Sequence, residues 1–290
     1  MFWGEHQPFA AVRSRGAESF SRHDPAACRL APGLRGWNPP RVLPAFTLFQ
    51  WLLALFAAFC IGFSKSGFAG VGLVTVVVMA RLFPPRESTG MLLPLLIVGD
   101  IMSVAVFHQH ARWSHIWRLL PPTVAGIIAG YFIMQRIPNA VFGPVIGAIV
   151  LVMVILQIVR KALPGFYANV PHTRGFGLLM GAWSGVATML ANAAGPVMAL
   201  YFLARNIAKY EFVGTTAWFF LLVNVFKVPF SARLGLIYPA SLLFDLVLIP
   251  AVALGIWAGR RLVGIVSQAL FEHLLLFFAA VAALRLIGLF

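Results

Sequence analysis

The sequence predicts an all-α, polytopic membrane protein made of two inverted five-segment repeats with broken or re-entrant helices. Three observations carry that prediction. The chain is 61% hydrophobic and 10% charged, with a mean hydropathy of +0.90, whereas a soluble domain averages about 25% charged residues. A water-soluble core of this length could not hide so much apolar surface. Ten apolar segments follow residue 44, at about 45–63, 71–83, 88–109, 117–135, 140–159, 175–191, 196–204, 211–230, 239–258 and 268–289. Finally, two of these runs are interrupted at corresponding places, by GFSKSGFAGVG at Gly62–Gly72 and by NAAGP at Asn192–Pro196.

Residues 1–44 stand apart. They carry six Arg and no apolar run long enough for a signal peptide, and they read as a disordered basic tail or an overlong start. The net charge of +14 would suggest nucleic acid in a soluble protein. Here the Lys and Arg lie in the tail and between apolar runs, as membrane topology signals do, so no nucleic-acid partner is expected. Cys28 and Cys60 support neither a disulfide framework nor a zinc site. No cofactor or metal motif is present in the sequence.

The segments then divide the chain into a first membrane repeat at 45–159, a linker at 160–174 and a second repeat at 175–290. A spanning helix needs about 20 residues. Segments two and seven are shorter and each follows a break, so 45–83 and 175–204 are expected as broken or re-entrant helix pairs. Gly62, Gly67, Gly70 and Gly72 allow backbone turns in the first break, while Ser64, Lys65 and Ser66 add polarity that lipid would penalise. In the second break Pro196 follows Gly195, and proline suits the first turn of a new helix. Irregular backbone at membrane depth survives only where protein buries it or a cavity adjoins it, and paired breaks point to a transporter's binding site.

Weak repetition joins the halves. Glu87 precedes Asp100 as Glu211 precedes Asn224; GIIAG at Gly126–Gly130 matches GIWAG at Gly255–Gly259; NAVF at Asn139–Phe142 resembles QALF at Gln268–Phe271. Five segments per copy reverse the orientation of the second copy, which makes the repeats inverted. The GxxxG spacings favour close helix contact. Loops after segments three, five, seven and nine hold Arg112, Arg118, Arg160, Lys161, Arg174, Arg205, Lys209, Arg260 and Arg261. The other side holds Arg81, Arg86, Arg136 and Arg233. Weighing loops over the tail places the first set in the cytoplasm.

Candidate chemistry sits at the breaks and mid-helix. Asp100 lies about 20 Å along its helix from Glu87, near mid-membrane, with Ser103 on its face. A carboxylate there must face a cavity, be protonated or pair with a cation, so Asp100 is the candidate proton-coupling group. Lys65 beside the ends of half-helices suits an anion, and it is the expected partner of Asp100 when the site is empty. Asn224 and Lys227 repeat the Asp100–Ser103 spacing, with Lys227 open to an anion role or to snorkelling at the interface. Thr89, Thr215 and Thr216 could donate to an anion or bond back to their own helices. Asn192 beside its break could contact substrate or satisfy freed carbonyls. Asp245 and Glu272 read as structural or interfacial. His108, His110 and His115 share a basic loop and read as solvated; Trp113 and Trp117 suit the interface.

GFSKSGFAGVG, PPRESTGMLLPLLIVGD, HARWSHIWRLLP, TMLANAAGP and KYEFVGTTAWFFLLVNVFKVPFSARLGLI, in this order over about residues 46–289, resemble the TauE/SafE family of sulfite-exporter-type anion permeases, also called the toluene-sulfonate uptake permease family. The resemblance implies passage of small sulfur-containing or organic anions without an enzymatic step, in the inner membrane. Its carry-over covers Gly62–Gly72, Asp100, Asn192–Pro196 and Thr215–Lys227. The first break differs from the commoner glycine-rich pattern in holding Lys65, and the second reads ANAAGP. The expected substrate-binding set is Ser64, Lys65, Gly67, Gly70, Gly72, Asn192, Gly195, Pro196, Thr215, Thr216, Asn224 and Lys227. The expected partners are a small anion and the lipid bilayer, and a homo-oligomer is compatible with the composition. A passive anion channel would share these features. An intramembrane protease fits less: Gly99–Asp100 lacks the first glycine of GxGD, Ser184–Gly185 that of GxSG, and HExxH is absent.

Overall fold

The computed structural model describes residues 46–68, 70–162, 173–203, 207–262 and 277–289 other than 278 and 282, all within the unit Gly36–Phe290. The stretch 1–44, Arg205, Gln268–Phe271 and Glu272 lie outside the described residues, as does most of the expected linker. Among the described residues nine α-helices are delimited: α1 Leu48–Lys65, α2 Gly72–Leu82, α3 Pro85–Phe107, α4 Trp113–Arg136, α5 Asn139–Ala162, α6 Arg174–Ala191, α7 Gly195–Leu203, α8 Lys209–Arg233 and α9 Pro239–Leu262. Residues 279–281 and 283–287 are again helical. Among the described residues there is no strand.

Local sequence explains the helix ends. Thr47 opens α1 with a capping box, its side chain accepting from Gln50 N–H while the Gln50 side chain reaches back. Pro85 occupies the first turn of α3, where its missing N–H costs nothing. Thr173 caps α6 by accepting from Phe176 N–H. The basic and tryptophan-rich turn at Arg112–Trp117 starts α4 one turn earlier than the apolar run suggests.

Among the described residues, six helices are long and apolar enough to cross a membrane: α1, α3, α4, α5, α8 and α9. The protein is a polytopic α-helical membrane protein. By contrast, α2 has 11 residues and α7 has 9, about 16 and about 14 Å long at 1.5 Å per residue, well short of a hydrocarbon core of about 30 Å.

Each short helix folds back on the helix before it. Phe46, just before α1, meets Phe83, just after α2, with ring centroids 5.4 Å apart. Thr75 donates to Ala57 O at 3.0 Å between the same two helices. Likewise Phe176 near the start of α6 stacks on Tyr201 near the end of α7 at 6.2 Å. Both pairs are therefore antiparallel hairpins, with their tips at the two breaks.

Two glycine-tight crossings hold the hairpins in place. A Cβ on Gly62 of α1 would fall 2.0 Å from Val252 O of α9, and one on Gly255 of α9 would fall 2.1 Å from Phe59 O. A Cβ on Gly126 of α4 would fall 2.1 Å from Ala182 O of α6, and one on Gly185 would fall 2.2 Å from Thr123 O. Along each crossing the residue numbers rise together, from Trp51 beside Phe244 to Ser66 beside Gly259 and from Leu119 beside Gly181 to Gly130 beside Met189, so the helices run parallel. Helices α3 and α8 pack antiparallel: Asp100 meets Asn224, while Gly214 near the start of α8 abuts Phe107 O and the turn at His110 at the end of α3.

Candidate functional site

The first break begins where α1 runs out of helix-compatible backbone. Ser66 caps the helix at φ −89°, and Gly67 then takes φ +109°, which a side chain would resist. Ser64 and Lys65, expected within the break, instead form the last turn of α1. The second break turns on Asn192 at φ +51°, a left-handed conformation that asparagine tolerates better than most residues. Its N–H and that of Ala193 return to Thr188 O and Ala187 O, closing α6.

The two tips and helix α8 enclose a cavity of about 70 Å³. One water needs about 10–15 Å³ on this measure, so the space admits a few waters or one small oxyanion. Gly72 at the start of α2 and Gly195–Pro196 at the start of α7 both line it. No side chain caps α2. The positive ends of two helix dipoles thus meet one space, an arrangement that favours negative charge. The remaining wall is largely apolar, with Ile61, Leu73, Val76, Leu92, Leu96 and Phe220 among its residues.

Lys65 is the sole ionisable residue of the lining. Its Nζ lies 2.6 Å from Asp100 Oδ1 and 4.8 Å from the centre of the Phe220 ring. The expected Lys65–Asp100 pair is therefore formed. Asp100 has no exposed surface. Its second oxygen, Oδ2, accepts from Asn224 Nδ2 at 2.7 Å. Ser103, one turn on, donates to Lys65 O at 3.0 Å and so secures the end of α1 against α3.

A second layer lies behind this wall. Lys227 Nζ donates to Asn192 Oδ1 at 2.6 Å, to Thr188 Oγ1 at 3.2 Å and, at the long limit, to Asn224 Oδ1 at 3.5 Å. Asn192 Nδ2 in turn donates to Thr89 O at 2.8 Å. Helices α1, α3, α6 and α8 are thereby tied by one continuous polar chain from Lys65 to Thr89.

Of the expected binding set, Ser64, Lys65, Gly67, Gly72, Asn192, Gly195, Pro196, Thr216 and Asn224 line the cavity. Gly70, Thr215 and Lys227 do not. Thr215 Oγ1 accepts from Arg112 N–H at 2.9 Å, outside the cavity. Lys227 is neither a cavity ligand nor a snorkelling side chain, since it is 2% exposed and bound by three oxygens. The hydroxyls of Ser64, Thr89 and Thr216 bond back to their own helices. Asp245 is 4% exposed, with no hydrogen-bond partner for either oxygen among the described residues; it is buried rather than interfacial, and it does not line the cavity. His115 is half-buried, its ring edge-on to Tyr201 and Phe202, so it is packed rather than solvated.

Thr188 and Phe220 are among the lining residues that the sequence reading did not pick out. Signals for both exist. The step along the chain that takes Gly62 to Gly185 also takes Lys65 to Thr188. Phe220 falls one turn from both Thr216 and Asn224 and shares their face.

The model of the sulfite exporter TauE/SafE family matches residues 54–286. No curated protein and no solved structure matches the chain. A match over that span takes in the tip of the first hairpin, the whole of the second, and every residue of the cavity, and this multi-pass membrane protein belongs to the sulfite exporter TauE/SafE family.

Proposed function

We propose that the protein is a secondary transporter that moves a small sulfur-containing or organic anion, such as sulfite or a sulfonate, across the inner membrane. The observation that carries this reading is the convergence of Lys65 and the starts of α2 and α7 on one cavity. The anion would replace Asp100 as the partner of Lys65, and Asp100 would take a proton when Lys65 turns away. Binding and protonation would then be linked.

The accompanying architecture is a first repeat at 45–159 and a second at 175–290, related by inversion, each opening on a re-entrant hairpin. Several observations support it. The antiparallel crossing of α3 and α8 is what inversion requires of equivalent helices. One constant step along the chain takes Phe59 and Gly62 to Ala182 and Gly185. Another takes Thr123 and Gly126 to Val252 and Gly255, so the two glycine crossings are the same contact made twice. Alternating access would rock one repeat against the other around the cavity.

Uptake into proteoliposomes of sulfite, thiosulfate, sulfoacetate and acetate, with and without a pH gradient, tests the reading. Concentrative uptake of at least one anion driven by the gradient is expected; flux that only follows the anion's own gradient would favour a channel. Lys65→Met should raise the apparent KM at least about tenfold, and Lys65→Arg should keep part of the affinity because the charge remains. Equal transport by wild type and Lys65→Met would remove Lys65 from the site.

A further inference from the structure

The contacts of the polar chain suit two ammonium groups and one carboxylate. Asn224 places its NH2 on Asp100 Oδ2 and its oxygen toward Lys227 Nζ, the orientation that a carboxylate on one side and an ammonium on the other favour. Asn192 is oriented in the same way between Lys227 and Thr89 O. Lys227 Nζ lies within hydrogen-bond distance of three oxygens, those of Asn192, Thr188 and Asn224, a full set of acceptors for an ammonium. Asp100 accepts from Asn224 on Oδ2 and has the Lys65 ammonium 2.6 Å from Oδ1 as an ion pair, the setting of a carboxylate. Two cations and one anion leave the frame with one surplus positive charge. A surplus charge in a low-dielectric interior is costly until something neutralises it.

We infer that the cavity selects its anion by total charge: a monoanion binds with Asp100 ionised, and a dianion binds only together with one proton on Asp100. The inference rests on the anion-site reading above and adds the charge class. Sulfonates, carboxylates and hydrogensulfite fall in the first group; sulfite, sulfate and thiosulfate dianions fall in the second. In both cases the filled site is neutral. The proton comes from the water that delivers the dianion and adds to Asp100 Oδ1, which faces only Lys65 in the empty site. Protonation of Asp100 frees Lys65 for the anion.

The other elements packed on α3 do not supply this charge. Helix α2 carries Arg81 at its far end, α6 carries Arg174 at its first residue, and α5 carries Arg160 and Lys161 in its last turn. Helix α9 brings Asp245 in its second turn and Arg260 and Arg261 in its last. Helix α8 adds Glu211 and Arg233 at its ends. On α3 itself Arg86 and Glu87 lie in the first turn, and the short turn after it holds His108 and His110. Lys65 from α1, and Lys227 from α8 through Asn224, are the charges that reach Asp100.

Methanesulfonate and sulfate make a matched pair of probes, nearly equal in shape, with charges of one and two that stay fixed near neutral pH. Calorimetric titration of the purified protein in nanodiscs gives each Kd between roughly pH 6 and roughly pH 8. Methanesulfonate affinity should be flat. Sulfate affinity should fall about tenfold per pH unit, the slope for obligatory uptake of one proton. Asp100→Asn should abolish the sulfate slope and shift the ratio of affinities toward sulfate. Lys227→Met lowers the frame by one charge, so methanesulfonate should acquire the slope; this arm serves if Asp100→Asn does not fold. Parallel pH profiles for the two anions in the wild type would overturn the charge rule while leaving an anion site. An unchanged affinity ratio in a folded Asp100→Asn, or a flat methanesulfonate profile in Lys227→Met, would do the same. Binding of neither probe would overturn the anion-site reading itself, and the charge rule with it.

Discussion

Asn192 combines a backbone duty and a side-chain duty in one residue. Its left-handed backbone ends α6, and its amide joins Lys227 to Thr89 across three helices. The two duties separate by mutation. Asn192→Gly keeps the backbone at ease and drops only the amide. Asn192→Ala drops the amide and keeps a Cβ in left-handed space without the polar side chain that lets asparagine tolerate it, a strain of about 1–2 kcal/mol relative to glycine. Lys227 loses its shortest contact in both. Anion affinity should therefore fall to a similar degree in the two variants, while the melting temperature falls further in Asn192→Ala. Melting followed by light scattering, beside the titration, checks this; equal stability of the two variants would mean the turn does not need its left-handed residue.

At the level of helices, the glycine crossings decide how close the hairpins come to their partners. Gly185 packs directly on the α4 backbone, with Gly126 Cα 2.8 Å and Ile127 N 2.8 Å from the place of its missing Cβ. Backbone cannot move aside as a flexible side chain can, so Gly185→Ala must push α6 off α4. Overpacking of this kind costs about 1–3 kcal/mol and sometimes more, and it also shifts Thr188, on the next turn of α6, away from the cavity. Gly72 is the contrast: its Cβ would sit 3.5 Å from Ser64 Oγ, in ordinary contact. Gly185→Ala should thus lower stability and binding together, whereas Gly72→Ala should leave the stability within about 0.5 kcal/mol of the wild type while narrowing the cavity at the start of α2. Detergent-stability assays on both variants distinguish the effects, and a Gly185→Ala protein as stable as wild type would show that the crossing can slide.

Across the whole molecule the charge distribution has a side. The end of α3, the start of α4 and the start of α8 meet, since Arg112 N–H bonds Thr215 and its guanidinium pairs with Glu211. Helix α9 runs parallel to α1, as α4 runs parallel to α6, so Arg260 and Arg261 at the end of α9 lie on the same face as Arg112, Arg118 and Arg174. Arg81, Arg86, Arg136 and Arg233 mark the opposite face. The positive-inside rule then puts the Arg112 face in the cytoplasm. Ser114 is exposed there, so Ser114→Cys should resist a membrane-impermeant maleimide in intact cells and react in inverted vesicles. Labelling in intact cells would reverse the orientation.

The membrane class, the hairpin breaks and the Lys65–Asp100 pair were legible in the sequence because each is a local violation with few remedies. An apolar run must be buried in lipid, a glycine-rich gap in it must adjoin a cavity, and a lone intramembrane carboxylate must find a cation. The repeat of GIIAG as GIWAG carried the close crossings in the same way, since spacing on one helix is a sequence property. What lies on the other side of a contact is not. Lys227 and Thr215 read as cavity ligands by their neighbours in the chain, yet a helix has several faces. Only the packing of α8 against α3 and α6 turned Lys227 inward to Asn192 and Thr188, and left Thr216 and Phe220 at the wall. The same packing brought the members of the polar chain together. The sequence determined that charged groups must meet inside the membrane, because burial allows little else; the tertiary structure decided which of them touch the cavity and which stand behind it, because that depends on how helices far apart in the chain are rotated about their axes.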